Sequence, residues 1–281
     1  HLKRAIEVIA EGLAFHLEHM HQVFPELVLD LLCHGPIEKG KDASCGGVEI
    51  YNLGIDGAAL ATVADSFAAV EQRVERESRL SWQDLMRHLD ANWGEPGSER
   101  VRLMLKSVPR YGSGGSRADS WAQRVVKTFT RLVKEQPTPS FNLTPGLFSW
   151  ASTLAMGRTL GATPDGRFAG DPISHGSNPN PGFREDGATT AMALAIAAVQ
   201  PGLGNAAPMQ LDLDPGLSRS AEDMDKIGNL NVLDKQKVLE AHKDPAKYPD
   251  LIVRVTGFSA YFASLSPEFR QIVVNRIIAE G

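Results

Sequence analysis

The sequence has 281 residues, 42% hydrophobic and 22% charged, which is long enough for one large domain or two small ones with a real core. Its 29 basic and 34 acidic side chains give a net charge of −5, and the scattered Lys and Arg provide no basic field for nucleic acid. No apolar run approaches the roughly 20 residues of a membrane-spanning helix, and no signal-peptide pattern opens the sequence, so a cytoplasmic chain without membrane spans is expected.

Apolar residues recur at three- and four-residue steps from Leu2 to Val23 and predict a first amphipathic helix. The stretch from Pro25 to Gly47 is loop-like. Further helices are predicted over 58–77, 81–92 and 119–135. The helix predicted over 81–92 begins with Ser81 and has Asp84 three residues later, a loose version of the capping box.

From Pro137 to Pro215 the sequence is rich in Gly, Pro, Asn and Ser. Long ordered loops of this composition usually surround a site in a large α/β scaffold. The last segment contains a strand candidate, Leu251–Val255, followed by a helix predicted over Pro267–Glu280.

Metal-binding patterns are weak. His16 and His19 lie one turn apart on the first predicted helix, and His21 follows, but no carboxylate-rich motif such as HExxH accompanies them. The two cysteines, Cys33 and Cys45, are too few for a disulfide framework and lie in no zinc-ligand spacing. We therefore expect no bound metal.

One stretch near the end of the sequence joins a β-branched run to a glycine flanked by small and aromatic residues. It reads Arg-Val-Thr-Gly-Phe-Ser-Ala-Tyr over residues 254–261 and resembles the glycyl radical motif of the pyruvate formate-lyase superfamily. Five more segments are similar to that family and follow its order. They are Gly46–Asn52, Ala61–Ala69, Pro109–Gly112, Thr144–Phe148 and Gly161–Arg167.

The resemblance implies that Gly257 stores a radical. A carbon-centred radical at Cα is delocalised between the amide nitrogen and the carbonyl only when the centre is flat, and a Cβ would resist flattening. On the motif alone, Gly257 is equally well interpreted as a turn or bulge glycine after a strand. In the family the radical is post-translational and is installed by an S-adenosylmethionine radical activating enzyme, which is therefore an expected partner. We expect Gly257 to be buried at a loop tip.

In the family a cysteine in a Gly-Cys-Val-Glu-like loop relays the radical to the substrate. Cys45-Gly46-Gly47-Val48-Glu49 imitates that loop, but the Tyr-Asn pair after it aligns this stretch with a later Gly-Gly motif. Neither Cys33 nor Cys45 is therefore expected within reach of Gly257, and Cys33 is expected to be a small buried hydrophobe. A second departure is a segment between Arg219 and Val232 that is shorter than in related chains.

The sequence outside these motifs is more similar to the branch of the family that cleaves C–X bonds. That branch includes isethionate sulfite-lyase, choline trimethylamine-lyase and diol dehydratases. The resemblance implies a lyase of anaerobic metabolism that acts on a small polar molecule, with Thr144 and Phe148 as candidate substrate contacts. Phe148 is equally well explained as a core aromatic. Because Thr144 is neutral, it supplies no guanidinium for a bidentate anion clamp. His175 is expected to be an ordinary surface loop residue.

The implied fold is α/β, part of a ten-stranded α/β barrel of two half-barrels with a central glycyl radical loop. Residues 1–245 are expected to be the C-terminal portion of the barrel domain and residues 246–281 the glycyl radical domain, in a homodimer. The chain would thus be the radical-bearing part of an enzyme and incomplete in isolation. The alternative is a non-catalytic or complementing chain that lacks the thiyl cysteine loop.

Overall fold

A computed structural model describes residues 1–138, 141–148, 152–180, 190–209, 212–213, 231–232, 235–254 and 259–278. The α-helices are α1 (Leu2–Val23), α2 (Leu27–Leu32), α3 (Pro36–Lys39), α4 (Leu60–Val70), α5 (Trp82–Asp90), α6 (Ser98–Lys106), α7 (Arg117–Lys134), α8 (Thr153–Arg158), α9 (Thr190–Ala197), α10 (Lys235–Lys243) and α11 (Pro267–Ile278). The strands are β1 (Asn52–Gly57), β2 (Asn142–Leu147), β3 (Asp212–Leu213), β4 (Asn231–Val232), β5 (Ile252–Arg254) and β6 (Ser259–Tyr261).

The chain divides into two compact units. The first contains His1–Gly57, Val126–Leu147 and Pro201–Ala206, and the second contains Ala58–Val125, Phe148–Gln200 and Ala207–Gly281.

The first unit is built on a parallel pair of strands. β1 and β2 run in register from Asn52 opposite Asn142 to Gly57 opposite Leu147. One face of this pair is apolar and packs on helices. Its core residues are Ile6, Ile55, Phe129, Leu132 and Val133, with Leu13 and Leu143 packed against them. Since alternate residues of a strand point to opposite faces, the other face of the pair is left for polar side chains.

The second unit contains α4, in which Ala61, Ala64 and Ala68 have no exposed surface. These small side chains allow close packing of α4 on its neighbours. Farther along the chain, β5 and β6 form an antiparallel hairpin. A separate apolar cluster joins this hairpin to α10 and α11, and its buried members are Val238, Ala241, Leu251, Val253, Phe262, Leu265, Val273 and Val274.

The bounds of α1 agree with the helix predicted from apolar spacing. The loop predicted over Pro25–Gly47 is wrong in part, because it contains α2, α3 and a 3-10 turn at Ala43–Cys45. These helices are too short to show a repeating apolar period. The second predicted helix begins at Leu60, after Ala59 in a left-handed conformation with φ 68°, and ends in a π-helical turn at Glu71–Arg76.

Candidate functional site

The polar face of the β1–β2 pair carries Gly54 and Asp56 on one strand and Thr144 and Gly146 on the other. Asp56 lies opposite Gly146 in the register, and Gly54 lies opposite Thr144. A Cβ added to Gly146 would overlap Asp56 Oδ1. The carboxylate therefore occupies the space that a side chain on β2 would need, and only glycine permits this arrangement.

Asn205 holds the Asp56 carboxylate from the adjacent segment. Its Nδ2 donates to Asp56 Oδ1 at 3.0 Å and lies 3.3 Å from Oδ2. The backbone N–H groups of Gly204 and Asn205 both donate to the Pro145 carbonyl, at 2.9 and 3.1 Å. Burial raises the pKa of Asp56, and the hydrogen bond from Asn205 opposes that rise. The result is a partly buried carboxylate held by Asn205 on the polar face.

Thr144, one of the two predicted substrate contacts, lies on this same face and is half-buried. Its hydroxyl is 3.3 Å from the Leu53 carbonyl, to which it donates. A Cβ built on Gly204 would be 3.7 Å from the Thr144 methyl group, so the turn that carries Asn205 runs beside it. Phe148 belongs to the second unit, where its side chain is 41% exposed and its carbonyl accepts from Gly176 N at 3.2 Å.

A buried polar network lies in the second unit, around Asp65 of α4, which is 4% exposed. Asp65 Oδ1 accepts from Tyr111 N at 2.8 Å. Asp65 Oδ2 accepts from Arg110 Nη1 at 3.1 Å and from Asn180 Nδ2 at 2.8 Å. Burial raises the pKa of Asp65 to about 6, while the Arg110 guanidinium lowers it. One carboxylate thus connects a helix to two loops.

The network also includes residues of the Pro109–Gly112 and Gly161–Arg167 motifs. Arg110 Nη2 donates to the Asp165 carbonyl at 2.6 Å, and Tyr111 Oη donates to the Ser177 carbonyl at 3.0 Å. Segments around residues 65, 110, 165 and 177 are distant in sequence and meet here. The network uses every one of these groups to fix loops, so we interpret it as structural support rather than as a reaction site.

The sequence profile described as "Pyruvate formate lyase-like" matches residues 1–157, more than half of the chain. The chain belongs to the pyruvate formate lyase-like family. A second profile, described as "Glycine radical", matches residues 186–263. This second match includes position 257.

Relatives in this family agree with that assignment. The chain is 28% identical to trans-4-hydroxy-L-proline dehydratase of Clostridioides difficile, with 85% of this chain and 32% of the relative covered. It is 29% identical to isethionate sulfite-lyase of Desulfovibrio desulfuricans, with 92% and 33% covered. The glycerol-bound B12-independent glycerol dehydratase of Clostridium butyricum superposes with a TM-score of 0.87 at 26% identity, covering 98% of this chain and 37% of that one.

The chain therefore spans about a third of the length of the relatives it matches. Its fold is part of the α/β barrel of the pyruvate formate lyase-like glycyl radical enzymes, as the resemblance predicted. The parallel β1–β2 pair with helices on its apolar face is the arrangement expected for neighbouring barrel strands.

Several predicted family residues have defined positions, and one does not. Gly257 lies outside the described residues, so its burial and its distances from the cysteines stay predictions. Cys33 is half-buried rather than buried, because α2, which it follows, buries none of its own side chains. Cys45 is exposed. His175 is only 6% exposed. The expected surface position of His175 is therefore wrong.

The burial of His175 follows from how its neighbour is held. The Ser174 carbonyl accepts from Ala59 N at 2.9 Å, and Ser174 Oγ accepts from Thr62 N at 3.1 Å. These bonds draw the 174–175 segment against the first turn of α4. The composition of the loop around His175 does not indicate this contact with α4.

The three histidines of α1 do not form a metal site with other ligands in the part of the chain that the structure describes. No group of three or more His, Cys, Asp or Glu side chains there could hold a metal ion. His19 Nδ1 instead lies 2.8 Å from the Phe15 carbonyl. Among the described helices, none has both the length and the apolar character needed to cross a membrane.

Sequence reasoning missed Asp56 and Asn205. The signal available for Asp56 was one acidic residue in a segment of small and apolar residues, Asn-Leu-Gly-Ile-Asp-Gly. Asp65 lies in the Ala61–Ala69 motif, but the sequence alone assigns it no role. For Asn205 the sequence carries no signal, because its contact with Asp56 arises only when distant segments meet.

Proposed function

We propose that the protein carrying this chain is a glycyl radical lyase or dehydratase that cleaves a C–X bond in a small polar substrate. The match of the glycine radical profile to residues 186–263 carries this proposal, because it includes Gly257 in its motif. The names of the relatives support it, since they are dehydratases and a sulfite-lyase. The candidate substrates are diols, choline and isethionate.

In this proposal Gly257 is the store of the radical, which an S-adenosylmethionine radical activating enzyme creates by removing one Cα hydrogen. The glycyl radical regains a hydrogen atom from a cysteine thiol, and the resulting thiyl radical attacks the substrate. Thr144 and Phe148 contact that substrate. We keep residues 1–245 as the barrel portion and residues 246–281 as the glycyl radical domain, and a cytoplasmic homodimer stays a prediction.

A second candidate function is a complementing chain that supplies a glycyl radical but no thiyl cysteine. The favouring observation is that Cys45, the cysteine in the Cys-Gly-Gly-Val-Glu segment, is exposed and aligns outside the family's cysteine loop. Under this candidate the 281 residues alone bear a radical yet convert no substrate.

Electron paramagnetic resonance after anaerobic activation tests the radical assignment. We expect a glycine-centred doublet that disappears in Gly257→Ala, because the added methyl group crowds the flat radical centre. Gly12→Ala is the matched control, since a Cβ at Gly12 has no heavy atom within 4 Å, and it should keep the doublet. A doublet that persists in Gly257→Ala refutes the assignment.

Activity separates the two candidates. The 281 residues alone, once activated, should not cleave 1,2-propanediol, choline or isethionate, whereas the protein in its natural length should cleave one of them. Turnover by the 281 residues would show that this chain contains the thiyl residue, and Cys45 with Glu49 would then be the first pair to mutate. A radical-bearing natural protein that converts none of the three would favour the complementing role.

A further inference from the structure

The hydrogen-bond partner of the Asp56 carboxylate is a neutral amide. Asn205 donates its hydrogen bonds, and among the residues described by the structure none forms an ion pair with it. Partial burial raises the pKa of Asp56, and the hydrogen bond from Asn205 opposes the rise. Asp56 is only partly buried, and burial of a carboxylate costs free energy unless the group is paired.

Asp56 and Asn205 themselves fill the room that the glycines of this face leave, and the hydrogen bonds between the two side chains are exposed. Both strand neighbours on its face, Gly54 and Gly146, lack side chains, and a Cβ on Gly54 would lie 2.6 Å from Asn205 Nδ2. An ionised carboxylate offers about four lone-pair positions, and one amide nitrogen does not occupy all of them. The remaining positions can accept hydrogen bonds from a ligand.

The predicted substrate contact Thr144 lies on the same face as Asp56. Its hydroxyl is neutral, and the six positions of this face, at 52, 54, 56, 142, 144 and 146, include no Lys or Arg. Asp56 is the one charged residue among these six positions. Such a surface attracts hydroxyl and ammonium donors and repels anions.

We propose that Asp56 is a specificity-determining residue, whose carboxylate accepts a hydrogen bond from a hydroxyl or ammonium group of the substrate. This inference rests on the proposed function and narrows it. The substrate is a neutral polyol or a cationic amino alcohol, and sulfonates are excluded by repulsion from Asp56. Asn205 is a positioning residue, since its amide orients the carboxylate by hydrogen bonding.

Steady-state kinetics on the activated protein of natural length test the proposal. Wild type should convert 1,2-propanediol or choline and leave isethionate unconverted. In Asp56→Asn, the KM for that substrate should rise at least tenfold, with kcat reduced less. The glycyl radical doublet should keep its intensity. A purely structural role predicts instead an unchanged KM with a loss of active protein. An unchanged KM or turnover of isethionate by wild type overturns the proposal.

Inhibition of wild type adds a measurement that does not require the variant to fold. Unreactive 1-propanol and propylammonium should inhibit at least tenfold more strongly than propanesulfonate. Equal or stronger inhibition by the sulfonate overturns the role of Asp56. These outcomes are distinct from failure of the proposed function, which would appear as the absence of the glycine-centred doublet in wild type.

Discussion

Replacing Asp65 by Asn should remove a component of the pH dependence of stability. Asp65 is 4% exposed and accepts hydrogen bonds from Tyr111, Arg110 and Asn180. Burial raises the pKa of this carboxyl group from 3.8 to about 6, although the Arg110 guanidinium lowers it. An Asn side chain has similar size and no titration, so the substitution removes the proton equilibrium while keeping the volume.

The sign of the pH dependence follows from the difference in proton binding between the folded and unfolded chains. Between pH 3.8 and about 6, the folded chain holds a proton on Asp65 that the unfolded chain has released. The free energy of unfolding therefore falls as pH rises through this window. The contribution of the raised Asp65 pKa to the free energy of unfolding is fully present below pH 3.8 and is lost once pH exceeds about 6. A shift of roughly 2 pKa units corresponds to about 3 kcal/mol.

Urea unfolding at pH 4, 5, 6 and 7, followed by far-UV circular dichroism, measures this contribution. The unfolding free energy of wild type minus that of Asp65→Asn should fall by about 2 kcal/mol from pH 4 to pH 7, because pH 4 already lies inside the titration window. The charge of the buried Asp165 also raises the pKa of Asp65, so the same comparison in an Asp165→Asn background separates the two groups. Asp90→Asn, at an exposed position, should run parallel to wild type. Parallel curves for Asp65→Asn would refute the reasoning.

Other substitutions test local geometry through the unfolding free energy. Gly12→Ala should stabilise the chain by about 0.5–1 kcal/mol, because helical Ala is favoured over Gly and the new methyl group has no heavy atom within 4 Å. Gly157→Ala should destabilise it by about 1–3 kcal/mol, because its Cβ would overlap the Asp171 carbonyl; equal effects of the two would contradict both predictions. Ser81→Ala should cost about 1 kcal/mol, because Ser81 Oγ accepts from Asp84 N at 3.0 Å, and Ser81→Thr should recover most of the loss.

The predictable elements are those with a long local pattern. α1 repeats its apolar residues over six turns, and its buried Ile6 and Leu17 are members of the predicted stripe. α5 was signalled by its cap, since Ser81 accepts from the N–H of Asp84 as a capping residue does. Such elements depend on interactions within a few residues, which a single sequence displays.

The strands β1 and β2 have no such pattern. Gly54, Gly57, Pro145 and Gly146 are residues that weaken a strand taken alone. Pairing over six positions and burial of Ile55 in the helical core override these preferences. The pairing of these strands is a tertiary effect, so local sequence rules missed it.

The same residues explain why the polar face was difficult to predict and what it is suited to do. Glycine at position 146 lowers strand propensity, and it is also the feature that leaves room for the Asp56 carboxylate. A bulkier, more strand-like residue there would make the element easier to recognise and would close the face. The register that sets Asp56 opposite Gly146 joins segments far apart in the sequence. The sequence motif therefore indicates Thr144, whereas the acid beside it becomes visible only in the folded chain.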